Sequence, residues 1–534
     1  MSISPNWHNN AVFYELYLRA FSDGNGDGHG DFSGLRQKLD YLEWLGVDCI
    51  WLLPVFSSPL KDDGYDVASY YGIHPTYGVL EDFMITVDEI HRRGMKVVFD
   101  MVMNHTSDQH PWFQESKRSI DSPLRDYYVW TKDPEKYKEA RIIFIDTESS
   151  NWTFSPETGE YYWHRFYSSQ PDLNYDNPEV HAKMMDACRF WFDLGVDGFR
   201  LDAIPYLFER EGTNCENLPE THDFLKDVRK MVDAEYPGRI LLAEANQWPN
   251  DLLPYFGNGD ELHMCFNFPI MPRLYMALAK GDRTPVIDIT AVTPEIPDNC
   301  QWAVFLRNHD ELTLEMVTPE ERQFMWDFYS PEPRQRLNLG IRRRLAPLLD
   351  NNRAKIELMH SLLFTLPGTP VLYYGDELGM GDNVELFDRN GVRTPMQWTA
   401  DPSVGFSTIP PESLYAPPIS DPVYGYQAVN VAAEQVDDRS LLHLVRKMIA
   451  LRKDLSLLAK GKLNWLLETP NGTLCFERSE GERRLFALHN LTEVEQTISF
   501  AEADAVIDAF DPKAEVSDSI TLPPYGYRWL VTQS

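Results

Sequence analysis

Basic residues are scarce in this chain. Lys and Arg number 49 against 82 Asp and Glu, a formal net charge of −33 over 534 residues. A surface of that sign repels phosphate backbones and excludes nucleic acid as a partner. The acids are dispersed rather than gathered in a tail, so the charge reads as solubility. Cysteine is also scarce: Cys49, Cys188, Cys215, Cys265, Cys300 and Cys475 are scattered with no CxxC pair, the pattern of free thiols in a reducing compartment. No run approaches the ~18 apolar residues of a membrane span. The opening "MSISPNWHNN" lacks the charged and apolar stretches of a secretory leader. These absences predict a cytoplasmic protein with no membrane partner. No GxGxxG follows a strand-like run, which disfavours an open dinucleotide-binding sheet.

What the chain has in quantity is apolar and aromatic material, 43% hydrophobic with 14 Trp and 26 Tyr, enough for a large core. Short β-branched runs recur at 11–16, 49–55, 96–103, 198–203, 239–245, 264–268, 302–309 and 370–377. Between them lie stretches with i, i+3, i+4 apolar spacing, such as "LRQKLDYLEWLG" and "EDFMITVDEIHRRG". Eight strands alternating with helices predict an α/β fold, a parallel (β/α)8 TIM barrel over 1–104 and 176–454. Two intervals are too long for bare connections. Residues 105–175, rich in Trp, Tyr, Ser and Pro, predict an inserted subdomain after the third strand, and 313–352 a charged helical insertion after the seventh. Alternating runs such as "TLCFERS" and "YRWLVT" predict an antiparallel β domain over 455–534.

Acids cluster at the ends of the predicted strands. Asp202 closes "GFRLDA", Glu244 closes "RILLAEA" and Asp310 follows "FLRNH". A carboxylate at the tip of a buried strand is costly unless hydrogen-bonded or functional. One alone reads equally well as a structural ion pair. Three on separate strands, with Arg200, His105 and His309 close in sequence, point to catalysis at the C-terminal face of the barrel. Glycosyl transfer needs such a set: one carboxylate to attack the anomeric carbon and a second, protonated, to serve the leaving oxygen. Arg200, two residues before Asp202, projects to the same side of the strand.

A further acidic stretch stands near the start, "FSDGNGDGHGDFSGL" at 21–35. Its Asp/Asn alternation is that of a loop wrapping hard oxygen ligands around Ca²⁺, but Gly34 replaces the bidentate Glu of an EF-hand and no helix precedes it. A polar turn without metal fits the local pattern too.

The segments "DGYD" (63–66), "FDMVMNH" (99–105), "GFRLDA" (198–203), "LLAEA" (241–245) and "FLRNHD" (305–310), in this order, resemble the α-amylase superfamily of retaining α-glucoside enzymes. The segments 205–222, 243–249, 305–318, 339–349 and 391–398 are similar to its maltose–trehalose isomerase branch. The resemblance implies Asp202 as nucleophile, Glu244 as general acid/base and Asp310 as the residue that grips and distorts the glucose ring. It implies that Asp62, Tyr65, His105, Phe166, Gln170, Arg200, His309 and Arg393 surround that glucose, with Asp62 paired to Arg393. It also implies two structural Ca²⁺ sites and no organic cofactor. The first takes Asp23, Asn25, Asp27, Asp31 and the His29 carbonyl; the second takes Asn104, Asp172, Glu209 and the carbonyls of Tyr206 and Leu207.

The activity implied is intramolecular isomerisation of maltose and trehalose, with some hydrolysis to glucose. An α-glucosidase or another α-glucoside isomerase would share the same core residues. A non-catalytic partner of a transporter is disfavoured, because the three carboxylates are retained and no membrane helix is visible. The partners implied are a disaccharide substrate, a candidate maltokinase and, through the insertion or the β domain, a second copy of the chain.

Overall fold

In the computed structural model, which describes residues 6–532, eight parallel strands close into a barrel. They are β1 (Phe13–Leu16), β2 (Cys49–Leu52), β3 (Lys96–Val102), β4 (Gly198–Asp202), β5 (Ile240–Ala243), β6 (Met264–Phe266), β7 (Gln301–Phe305) and β8 (Thr369–Tyr373). Each pairs with its neighbours in sequence, and β8 closes the ring on β1 through Phe13 opposite Val371. Six fall inside the predicted runs, and β7 and β8 begin one residue before theirs. All but β1 end before their runs do, because the last residues leave the ladder to build the loops of the C-terminal face. Nearly every strand residue is buried, as expected of a parallel sheet covered by helices.

The amphipathic stretches form the outer ring, beginning with helices Phe32–Leu45 and Leu80–Arg92. The first starts at Asp31, whose side chain accepts the Gly34 N–H at 2.6 Å, and ends at Gly46 with φ +98°, a left-handed stop that suits glycine. Between β3 and β4 the chain leaves the barrel, and strands Trp130–Thr131, Trp152–Ser155 and Glu160–Trp163 form a small antiparallel sheet. Beyond the last barrel helix, Leu441–Asp454, lie a five-stranded and a two-stranded antiparallel sheet.

The insertion after β7 is less helical than its charge pattern predicts. It contains helices Pro319–Tyr329 and Leu345–Leu348, but between them a hairpin pairs Arg336–Leu337 with Gly340–Ile341. Pro331 and Pro333 stop helix propagation, and Asn338 turns the hairpin at φ +49°. All six cysteines are free and buried. Among the described residues, no helix is long and apolar enough to cross a membrane.

Candidate active site

β4 sets the centre of the site. Its alternation turns Phe199 outward onto Phe192 of the helix Pro178–Asp193, with ring centroids 4.4 Å apart, and leaves Arg200 and Asp202 on the inner side. Arg200 is almost wholly buried. Its guanidinium joins three carboxylates: Asp100 of β3, Asp202 at the end of its own strand, and Glu244 just beyond β5. The Ala203 N–H donates to Glu244 Oε2 at 3.1 Å, and Ala203 takes φ +52°, turning the chain sharply after Asp202. Sharing one guanidinium holds the two carboxyl groups near each other, as the pair of a retaining glycosidase must be.

Burial raises the Asp202 carboxyl to about 6, with Arg200 working against it. Burial raises Glu244 further, to about 8; Arg200 again opposes, while the nearby charges of Asp202 and Asp310 add to the rise. Two carboxyl groups whose environments hold them apart in this way divide the roles of nucleophile and acid. Burial would also raise Asp310, but His309, Arg389 and Arg393 outweigh it and hold Asp310 well below the usual carboxylate range. It is the fixed anion of the site.

These three carboxylates open into a pocket of about 120 Å³. Of the residues named from sequence, Asp62, Tyr65, His105, Phe166, Asp202, Glu244 and Asp310 line it. Gln170, Arg200, His309 and Arg393 stand behind the wall. Gln170 donates to Asp62 Oδ2 at 3.0 Å, and Arg393 reaches Asp310 Oδ1 at 3.1 Å. His309 Nε2 lies 2.7 Å from the Tyr65 hydroxyl and 3.1 Å from Asp310 Oδ2. His105 is buried, its Nε2 has no protein partner, and burial lowers it to about 3, so it faces the pocket as a neutral ring.

One expected pairing is different. Asp62 binds Arg389, not Arg393: Arg389 Nη2 meets Asp62 Oδ1 at 2.7 Å, and its Nη1 meets Asp310 Oδ1 at 2.8 Å. Arg393 instead pairs with Asp63 Oδ2 at 2.7 Å. The two arginines flank the turn Asn390–Val392, which carries Arg389 over the pocket and Arg393 underneath. Sequence reading also passed over Glu15, Asp63, Asp100 and Arg389. Glu15 and Asp100 could have been found by the argument that singled out Asp202, since each is a carboxylate inside an apolar strand.

The pocket's outer half is built by two inserted segments. Ile143, Phe144 and Tyr206 form an apolar side, and Asn246, Glu311, Thr313 and Glu315 a polar one. Arg141 Nη1 meets Glu315 Oε2 at 3.0 Å, and the Asn338 N–H donates to Asp146 Oδ2 at 2.7 Å. Both contacts span the mouth from the segment after β3 to the segment after β7.

The two loops from which Ca²⁺ sites are expected differ in how well they suit a cation. In the loop 23–31, the carboxylates turn onto their own backbone. Asp23 accepts from the N–H groups of Gly26 and Gly28 at 2.6 and 2.8 Å, Asn25 from Asp27 at 2.9 Å, and Asp27 from His29 at 2.9 Å. The His29 ring accepts from Arg19 Nε at 3.1 Å. At the second loop, Asn104 Oδ1, Asp172 Oδ2 and Glu209 Oε1 are all buried with no hydrogen-bond partner. Burial pushes Asp172 up to about 8 and Glu209 well up, so in the absence of a cation both anions are disfavoured. Two carboxylates and an amide oxygen left without donors form a hard-oxygen set that suits Ca²⁺. Tyr206 and Leu207 sit beside them, at the end of the turn Ile204–Tyr206. Among the described residues, no three His, Cys, Asp or Glu side chains converge as a metal cluster, and this set holds only two such residues.

A parallel barrel with three carboxylates, three arginines and two buried histidines at its C-terminal face defines a glycoside-processing enzyme. The family model for the alpha amylase catalytic domain matches residues 15–325 and 342–461, and the chain belongs to that family. It is 54% identical to the trehalose synthase/amylase TreS of Mycobacterium tuberculosis, across 98% of this chain and 90% of that protein. It is 52% identical to the trehalose synthase of Thermus thermophilus, across 98% of this chain and 55% of that longer protein. Among solved structures, isomaltulose synthase (PalI) from Klebsiella sp. LX3 superposes with a TM-score of 0.81 at 28% identity, covering 99% of both chains.

Proposed function

We propose that this chain interconverts maltose and trehalose by intramolecular glucosyl transfer. The observation that carries the reading is a complete retaining pair, Asp202 and Glu244 on one guanidinium, beneath a pocket whose mouth is tied across by Arg141–Glu315 and Asp146–Asn338. The trehalose synthases among its relatives support the substrate assignment.

In the first step Asp202 attacks C1 of the non-reducing glucose as Glu244 gives its proton to the departing O4. The C1–O4 bond breaks and a β-glucosyl ester forms on Asp202. The freed glucose stays in the pocket and turns. Its anomeric hydroxyl then attacks C1, Glu244 takes back the proton, and the ester bond breaks to give trehalose. Two inversions leave the donor glucose with its original configuration. Asp62 and Asp310, joined through Arg389, accept from the hydroxyls of the donor ring, while His105, Phe166 and Tyr65 bound it. Retaining the acceptor raises its effective concentration far above that of free glucose, and excluding water limits hydrolysis.

The same reading gives Ca²⁺ a structural place in two loops. Its support is strongest at Asn104, Asp172 and Glu209, where oxygens lack partners beside the pocket residue His105. In the loop 23–31 it rests on family resemblance alone. The ion would supply only bracing, since its ligands lie outside the reacting set.

Incubating the purified protein with maltose alone, and following products by NMR, tests the isomerase reading. Trehalose forming early, with glucose minor, is the expected result. Glucose rising first with no trehalose would replace the isomerase with an α-glucosidase.

A further inference from the structure

An imidazole between two carboxylates is favoured as a cation. His309 is in that position. Its Nδ1 lies 2.6 Å from Glu15 Oε1, and its Nε2 lies 3.1 Å from Asp310 Oδ2. Glu15 Oε1 takes the Nδ1 proton, Nε2 also lies 2.7 Å from the Tyr65 hydroxyl, and the carboxylates on either side favour the ring as an imidazolium. The same Glu15 oxygen accepts the backbone N–H of His309 at 3.1 Å, fixing ring and main chain together. Glu15 comes from β1, is fully buried and does not line the pocket. Its second oxygen has no partner, so contact with His309 is what compensates a buried carboxylate.

We propose that Glu15 is a positioning residue for glucosyl transfer: it holds His309 as an oriented cation that fixes Asp310, one of the two carboxylates that grip the glucose. This rests on the reading of the pocket as a glucosyl-transfer site. The effect extends past Asp310. The Tyr65 ring stacks on His309 with centroids 5.3 Å apart and planes 8° from parallel, and its hydroxyl lies 3.3 Å from Asp100 Oδ2. Asp100 shares Arg200 with Asp202. A buried chain of contacts therefore runs from Glu15 on β1 through His309, Tyr65, Asp100 and Arg200 to the nucleophile.

The surroundings of His309 favour the cation. It is faced by Glu15 from β1, by the edge of Trp51 from β2, by Tyr65 from the loop after β2, by Asp100 from β3 and by Asp310 beside it. Arg393 donates to its backbone carbonyl at 2.9 Å. Tyr373 of β8 and Asp376 lie near Glu15. Burial works against the charge, but Asp310 and Glu15 outweigh it and raise His309 to about 9.

The test compares pH profiles of kcat/KM for maltose, counting trehalose and glucose together. In the parent, Glu244 sets the alkaline limb near about 8, below His309. Removing one carboxylate neighbour lowers a histidine by ~1–3 pH units, which brings His309 level with Glu244 or beneath it. A group needed as a cation works below its pKa and fails as pH rises through it. For Glu15→Gln the alkaline limb therefore moves about one pH unit acidward, and kcat/KM near neutrality falls ~10- to 100-fold. Glu15→Asp, which keeps the charge, leaves the limb in place at reduced kcat/KM. In a His309→Gln background, Glu15→Gln costs less than about two-fold, because its partner is gone.

A Glu15→Gln profile superimposable on a working parent overturns the proposal alone, as does an equal loss on both backgrounds. If Glu15→Gln does not fold, Glu15→Asp is compared on the two backgrounds, and equal losses overturn the proposal in the same way. A parent that turns maltose into neither product overturns the functional reading beneath it.

Discussion

Arg141 and Glu315 form an ion pair at 3.0 Å across the mouth of the pocket, one from the segment after β3 and the other from the segment after β7. Asn246 Nδ2 also donates to Glu315, at 3.2 Å, so the bridge reaches down to the loop carrying Glu244. Isomerisation needs this gap closed while the freed glucose turns. In Arg141→Ala, water enters during the lifetime of the glucosyl ester, and the ratio of trehalose to glucose formed from maltose falls ~5-fold or more. Stability changes by about 1 kcal/mol or less, because Arg141 is partly exposed and Glu216 keeps its pair with Arg165 at 2.8 Å. NMR product ratios from maltose check this. An unchanged ratio removes the pair from the seal.

The environments of Asp202 and Glu244 predict a bell-shaped profile. Asp202 must be ionised to attack, so kcat/KM falls as pH drops through about 6. Glu244 must be protonated to release O4, so kcat/KM falls again as pH rises through about 8. The two limbs belong to the coupled pair. Glu244→Gln moves the alkaline limb up from about 8 to the one His309 sets at about 9, with a loss of ~10²–10⁴-fold of the rate on maltose. An alkaline limb that stays at about 8 in Glu244→Gln would assign it to another group.

Much of this site is legible before any coordinates. The eight strands announce themselves as apolar runs, and Asp202, Glu244 and Asp310 as charges where a strand should not carry them. The pairing of Asp62 is not legible in the same way. Arg389 and Arg393 are four residues apart, and only the turn between them decides which guanidinium lies above the pocket. The mouth is harder still. Arg141–Glu315 and Asp146–Asn338 join residues more than a hundred positions apart in two irregular insertions, where neither period nor propensity speaks. The hairpin at 336–341 was hidden because its strands are two residues each.

The unpartnered oxygens of Asn104, Asp172 and Glu209 predict a response to chelation. Withdrawing Ca²⁺ from a site near saturation removes stability that grows with the ratio of free ion to Kd, ~3 kcal/mol at a hundred-fold excess. EDTA should lower the Tm by several degrees, Ca²⁺ should restore it, and Mg²⁺ should not, since a set of long-reach oxygens does not meet its octahedral demand. Asn104→Ala, which removes a neutral ligand and adds no charge, should blunt the response. Differential scanning fluorimetry reads all four conditions. A Tm indifferent to EDTA rules the ion out of this loop.

Arg389 touches Asp62, Asp310 and Asp388 with three different nitrogens, at 2.7, 2.8 and 3.1 Å. A lysine ammonium is a point charge and cannot span them. In Arg389→Lys, Asp310 keeps His309 and Arg393, and Asp388 keeps the Tyr167 hydroxyl at 3.0 Å, but Asp62 is left with only Gln170. The donor ring loses one of its two carboxylate grips, so KM for maltose rises ~10- to 100-fold. Stability falls by ~3–5 kcal/mol when Asp62 is ionised, the cost of a buried charge without its partner. Burial already holds Asp62 at about 6, and losing Arg389, which lowers it, raises it further. A carboxyl whose folded pKa lies above its unfolded value binds more protons folded than unfolded, so its contribution to stability declines as pH rises through that window. The stability deficit of Arg389→Lys relative to the parent is therefore larger near pH 8 than near about pH 5, where Asp62 takes up a proton. Calorimetric Tm values of both proteins at the two pH values check the sign. A deficit equal at both, or larger in acid, would mean that Asp62 is not the group left stranded.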